Sequence, residues 1–448
     1  MDTLRLITAL GLLCLVAHGC GFLFSRLRQP PVIGEIVGGI LLGPTCLRLV
    51  APHLAQAVLP TSGPVADGLN ALYQIGQLLL IFLAGSELRI RAAGRERRTG
   101  VAVAAAGLLV PFAAGAALAV ADGGRFVGPL GSSVTTPLIV GMAMAIAAIP
   151  VISRIMLDLG IVDTPFGRTV LMVAVVEDVV LYVVLALVLG MGHAGAGGSV
   201  GLWQSFGSHS LGLTALYIVT VSLLFLWAGL SWGPRAFRRL AVHRSNILAR
   251  RSPVAFRLVF LFAVVACCVG LGVNSVFGAL IAGICAARGD AGTEDPGTEA
   301  LAAQAWGAIR QFSLAFFVPV FFAMVGMNVD LAQSFDPLFF GWFLLAACGV
   351  KTLSVWGAAR LAGEERGFAG SLAIALNARG TLGVVLAGVT YQAGLINKPF
   401  FTVLVLVSLV TSQLAGVRLG LTAHRLRSQA PEPTAADRER PGVPVELR

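Results

Sequence analysis

The sequence predicts an all-α polytopic membrane protein with about thirteen transmembrane helices, and three observations predict it. Charged residues make up only 12% of the 448 and apolar ones 57%, with a mean hydropathy of +0.86; a soluble chain carries about 25% charged residues. Apolar runs of roughly 20 residues, the length that crosses a bilayer, recur along the whole chain. The basic residues crowd into alternate connections between those runs. This composition excludes a soluble enzyme and a disordered chain, and the 54 glycines have no fixed period, which excludes a collagen-like one.

The runs fall near 4–24, 31–49, 69–88, 100–121, 133–156, 166–190, 211–233, 255–272, 273–288, 309–327, 336–360, 367–391 and 398–420. The first has no basic region before it and is followed by Arg26, Arg28 and Pro30, so it reads as a retained span and not a signal peptide. The fifth and the twelfth carry helix breakers at mid-depth, Pro150 in one and Gly380 with Gly383 in the other. The glycine-rich stretch 190–201 reads as a flexible loop. Gly270, Gly272 and Asn274 predict a tight turn between the eighth and ninth runs. Residues 1–427 form the expected transmembrane domain, and the Pro- and charge-rich 428–448 a disordered cytoplasmic tail.

With the N-terminus placed outside, the inner connections and tail hold 26 of the Lys and Arg residues and the outer ones 4. That bias requires an odd number of spans and puts the C-terminus in the cytoplasm of a plasma or inner membrane. It also accounts for the net charge of +10 without a nucleic-acid partner, because a basic face beside anionic lipid is sufficient. The seven cysteines lie in or beside apolar runs without CxxC spacing and read as small buried hydrophobes. No metal-ligand spacing or nucleotide-binding glycine motif occurs, so neither a cofactor nor an enzymatic activity is expected.

The chemistry must lie with charges inside spans, since each costs about 2.5–3.5 kcal/mol at a helix centre and needs a partner or a wet cavity. Glu177 and Asp178 interrupt a wholly apolar stretch of the sixth run, Lys351 lies mid-way along the eleventh and Arg379 along the twelfth. Glu35 and Glu87 are nearer span ends. Neighbours on a helix point about 100° apart, so Glu177 and Asp178 do not face one partner. One positive charge cannot neutralise both, and the second carboxylate is left to bind a proton, a metal cation or Arg379. Lys351 is one of two lysines among thirty arginines, and a lysine releases a proton more readily on burial. Interrupted helices in both halves of a transporter mark a midplane site, here lined by Ala148, Ile149 and Pro150 on one side and Asn377, Arg379, Gly380 and Thr381 on the other.

Several segments together resemble the second monovalent cation:proton antiporter family, the sodium/hydrogen exchanger-like group that includes the Kef potassium-efflux systems and the plant cation/H+ exchangers. They are Arg28-Gln-Pro-Pro-Val-Ile-Gly-Glu-Ile-Val-Gly-Gly-Ile-Leu-Leu-Gly-Pro44, Leu79-Leu-Ile-Phe-Leu-Ala-Gly-Ser-Glu-Leu88, Gly272-Val-Asn-Ser-Val-Phe-Gly-Ala-Leu-Ile-Ala-Gly283, Pro319-Val-Phe-Phe-Ala-Met-Val-Gly-Met-Asn-Val-Asp330 and Ala375-Leu-Asn-Ala-Arg-Gly380. The resemblance implies inverted repeats, two crossed broken helices, and a homodimer whose core domain moves against a dimerisation domain. It implies that Asp178 carries the transported Na+ or K+ and the proton in turn, and that Lys351 pairs with residue 177. Glu177 stands where the family's branches have Asp, Asn or Gln. The function expected is exchange of a monovalent cation for H+ by alternating access. The rival readings are a channel or other non-exchanging pore, and a membrane sensor.

Overall fold

A computed structural model describes residues 2–27, 29–60, 62–87, 94–147, 152, 156, 159, 161, 164–195, 211–243, 246–291 and 296–427. Ala148, Ile149, Pro150 and the tail 428–448 lie outside the described residues, so the predicted lining at Pro150 and the predicted tail are not part of the description. Nearly everything described is helical, and nine of these helices are long and apolar enough to cross a membrane.

Each predicted span has its helix. The first three are Asp2–Arg26, Pro31–Leu42 and Pro64–Glu87. Gly94–Ala121, Thr135–Ala145 and Pro165–Gly195 follow, then Leu211–Val242 alone. The second half holds Pro253–Gly270, Ser275–Asp290 and Pro296–Phe312, the last continuing through a π turn, Ser313–Phe317, into Val318–Asn328. Pro337–Leu361, the pair Arg366–Ala375 and Gly380–Gln392, and Lys398–Arg427 complete it. The second helix is shorter than the run 31–49 suggests. It ends at Leu42 because Gly43 is extended and precedes Pro44, leaving a rod of about 18 Å. The predicted turn at 271–274 is present, with Gly272 at φ +80° and the Asn274 side chain capping the next helix through Val276 N–H.

The helices sort into two packed groups by chain order: three in the first group, three in the second, a linking helix, then three and three again. The second set of six begins seven spans after the first, an odd offset, so equivalent helices run in opposite directions. The fold is therefore an inverted repeat, and the interrupted helix occupies the same place, the middle of the second group, in each half.

Contacts in the first group are backbone-close. A Cβ on Gly39 would lie 2.0 Å from the Ala323 carbonyl oxygen and one on Gly326 2.1 Å from that of Ile36, so the backbones of Pro31–Leu42 and Val318–Asn328 approach this closely only because glycine stands at both positions. With no hydrophobic drive between helices in lipid, such close approach is the main source of packing energy. The two groups are also tied by an ion pair at one end of the bundle, where Lys398 Nζ lies 2.9 Å from Asp330 Oδ2.

Candidate functional site

Glu177, Lys351 and the break at 376–379 meet near mid-depth. Lys351 lies ten residues from Leu361, about 15 Å, and Glu177 twelve from Pro165, about 18 Å, at the same end of the bundle. Both side chains are fully buried.

Lys351 has three N–H donors, and both backbone acceptors it meets result from an interruption elsewhere. Its ammonium donates to both oxygens of Glu177 at 2.8 Å. It donates at 2.8 Å to the Gly107 carbonyl, which the helix Gly94–Ala121 leaves free because its i+4 partner is Pro111, a residue with no N–H. It also donates at 2.6 Å to the Ala145 carbonyl, orphaned where the helix Thr135–Ala145 ends. Gly107 is required sterically: a Cβ there would stand 2.8 Å from Glu177 Oε1.

Arg379, 1% exposed, serves the same helix end. Its Nε donates to the Ala143 carbonyl at 3.1 Å, and its Nη2 to the Met144 carbonyl at 3.1 Å and the Ala347 carbonyl at 3.0 Å. Cys348 Sγ lies 3.6 Å from Nη1. The C-terminus of a helix carries a partial negative charge, and at this depth no water neutralises it. Two cations from remote spans do so instead. These contacts are the crossing of the two interrupted helices.

The break itself is built of polar backbone with assigned partners. Gly380, at φ +34°, lets the chain re-enter a helix in a conformation that a side chain disfavours. The N–H of Gly380, outside the helix ladder, donates to Ser412 Oγ at 3.1 Å, and that of Arg379 to Thr411 Oγ1 at 3.3 Å. Asn377 Nδ2 donates to Thr352 Oγ1 at 2.7 Å and to the Ala373 carbonyl, and its Oδ1 is buried with no hydrogen bond among the described residues. Thr381 is buried in the first turn of Gly380–Gln392.

Asp178, 4% exposed, sits beside the pair and one helical turn before Tyr182, on the same face. The site thus joins two carboxylates and two cations, formally neutral, inside an apolar shell. Of the other acidic residues, Glu87 pairs with Arg310 at one end of the bundle, while Glu35 is buried in the first group, apart from the crossing.

Sequence reasoning missed Gly107, Pro111, Thr411 and Ser412. The hydroxyls were detectable as a Thr-Ser pair in the last apolar run. Pro111 looked like an ordinary membrane proline, since nothing local says which remote donor takes the carbonyl it frees.

Residues 12–424 match the family model described as "Sodium/hydrogen exchanger, transmembrane". The chain is 27% identical over 420 residues to the Na(+)/H(+) antiporter NhaS4 of Synechocystis sp., covering 92% of this chain and 96% of that one. It is 25% identical over 420 residues to the K(+)/H(+) antiporter 1 of Saccharomyces cerevisiae, covering 89% of this chain but only 44% of the yeast protein, so it spans less than half that relative's length. Among solved structures, the sodium proton antiporter MjNhaP1 of Methanocaldococcus jannaschii superposes with a TM-score of 0.63 at 14% identity over 96% of this chain and 99% of that one, a likeness of fold.

Proposed function

The chain belongs to the transmembrane sodium/hydrogen exchanger family, and on that premise we propose that it exchanges a monovalent cation, Na+ or K+, for H+ across a lipid bilayer by alternating access, with Asp178 as the shared carrier. One observation carries the assignment of Asp178: of two adjacent mid-membrane carboxylates at the crossing, Glu177 is bound on both oxygens by Lys351, and Asp178 stands next to that pair.

The mechanism follows from competition. A carboxylate too buried to stay bare binds either a dehydrated cation or a proton. Only the neutralised site crosses, so each ligand moves in exchange for the other. Lys351 and Arg379 hold the interrupted helix end, and the Glu177–Lys351 pair braces the site or releases when a cation arrives. A channel would have no use for a carboxylate that must be neutralised before crossing.

The 26-to-4 distribution of basic residues supports an external N-terminus and a cytoplasmic C-terminal end in the plasma or inner membrane. The first group of helices, packed through backbone contacts, suits a static scaffold and the face of a homodimer, and the second group the moving core.

The test is proton flux in proteoliposomes on addition of Na+, K+, Li+ or Rb+ separately. Wild-type protein should move protons in response to Na+ or K+, and the Asp178→Asn protein, inserted and folded, should not. Exchange near the wild-type rate in that variant removes Asp178 as the carrier, and a cation leak without proton movement favours a pore.

A further inference from the structure

The helix Pro64–Glu87 belongs to the first group, yet it carries a polar face that its packing role does not explain. Asp67, Asn70, Gln74 and Gln77 recur at helical spacing on one side of it. Exposure falls along that line. Asp67, Asn70 and Gln74 are exposed, and Gln77, 6% exposed, is buried at mid-membrane depth. Its Nε2 has no hydrogen-bond partner among the described residues. A buried amide without a partner is costly in an apolar interior, and more so within a membrane.

The line begins in a cavity of about 360 Å³ between the two groups of helices, large enough for several waters. Asp67, Asn70 and Asn328 line it from the first group, and Tyr391, Gln392 and Lys398 from the second, the last with its charge paired to Asp330. Tyr73 lies one turn deeper than Leu69, which lines the cavity. Its ring packs at 4.8 Å against Phe321, and its hydroxyl lies where a Cβ on Gly388 would come within 2.6 Å. Gln77 is one turn deeper, on the same side of the helix as Tyr73. A polar mouth that holds Asp67, a tyrosine resting on a glycine of the opposing group, and a buried amide beyond it lie in order toward mid-membrane.

We propose that this face is the route by which the cation enters from the Asp67 end, and that the Gln77 amide oxygen is a transient ligand that replaces hydration water before the cation reaches Asp178. The proposal rests on the exchange function above. With Lys398 neutralised by Asp330, Asp67 raises the local cation concentration at the mouth. Asn70 and Gln74 offer oxygens along the way, and the Gln77 amide presents its oxygen by a half-turn of its last torsion. A hard monovalent cation sheds water only where fixed oxygens replace it. Gln77 is thereby a specificity-determining residue, held on the scaffold and not on the moving core.

The experiment measures apparent KM and maximal rate in oriented proteoliposomes for Na+, K+, Li+ and Rb+ supplied from the Asp67 side. Gln77→Leu should raise the KM about tenfold, the scale of one lost hydrogen bond to a charge, with the maximal rate retained and the order of preferred cations altered. Gln77→Asn should recover part of the loss. Asp67→Asn, at an exposed position, should raise the KM at low ionic strength only. Unchanged KM and cation order in Gln77→Leu overturns the proposal, and so does a fall in rate at constant KM, the mark of a structural role. If Gln77→Leu does not insert, a KM for Asp67→Asn that equals wild type at every salt concentration overturns the route. Wild-type vesicles in the same assay separate the two failures: no exchange at all removes the function, whereas exchange indifferent to Gln77 and Asp67 removes only this route.

Discussion

Lys351 satisfies its donors on groups that three separate stretches of chain supply, and Glu177 is its only charged partner among them. Both residues have left water, so the pair is far less tolerant of losing one member than of losing both. Removing a single partner from a buried pair costs roughly 3–5 kcal/mol because a bare charge remains. Lys351→Ala should therefore lower the thermal midpoint of the purified protein sharply. Glu177→Gln combined with Lys351→Gln should recover part of that loss, as measured by thermal unfolding in detergent. A double variant no more stable than Lys351→Ala would show that the ammonium is held chiefly by the Gly107 and Ala145 carbonyls and not by the carboxylate. This part of the site was legible in the chain: a lysine in a protein built on arginine, and two acids in a valine run. What remained illegible was the pair of carbonyls, because a backbone acceptor has no residue type to betray it.

At the scale of the element, the helix Gly94–Ala121 carries Pro111 for a reason that helix propensity does not contain. Proline within a helix is about 3 kcal/mol less favourable than alanine. Pro111→Ala should therefore raise the melting temperature through its own helix. The new N–H would compete for the Gly107 carbonyl, and Lys351 would lose one of its acceptors. The expected result is a more stable protein with slower exchange, read by thermal unfolding and proteoliposome flux on the same preparation. A variant that is more stable and equally fast would show that Lys351 does not need that carbonyl. The interrupted helix Arg366–Gln392 follows the same logic in reverse. Its free N–H groups at Arg379 and Gly380 are met by hydroxyls of the last helix, so a break that would be prohibitive in lipid is satisfied in protein.

For the whole molecule, the ion pair Lys398–Asp330 spans the two groups of helices at one end. Asp330 lies in the connection 329–336. Burial works against its charged form, but the bond from Lys398 and the backbone N–H groups of Gln333 and Ala332 outweigh it and hold the carboxyl below the ordinary carboxylate range. A folded-state pKa that is depressed contributes stability above the ordinary carboxylate pKa, and that stability is lost as pH falls through the depressed value. Acidification below about pH 4 should thus loosen this tie. Asp330→Asn should abolish the corresponding part of the acid-side fall in melting temperature, with a small effect at neutral pH, about 1 kcal/mol or less for a half-exposed partner. An acid limb identical in wild type and Asp330→Asn would reject the tie.

The sequence by itself determined the membrane class, the thirteen spans and the four mid-span charges, because apolar length, charge count and helix breakers are local properties that lipid enforces run by run. It marked where the helices break at 376–379 and that 43–44 is a stop only in retrospect, since Gly43–Pro44 sits inside an apolar run long enough to continue. Only the tertiary structure decided which partners the broken helices find. Lys351 reaches a carbonyl 244 residues away, and Arg379 one 236 residues away. A helix end states that it needs a donor but not which remote span will bring it. That choice is made by the crossing of two inverted repeats, which no single run of residues contains.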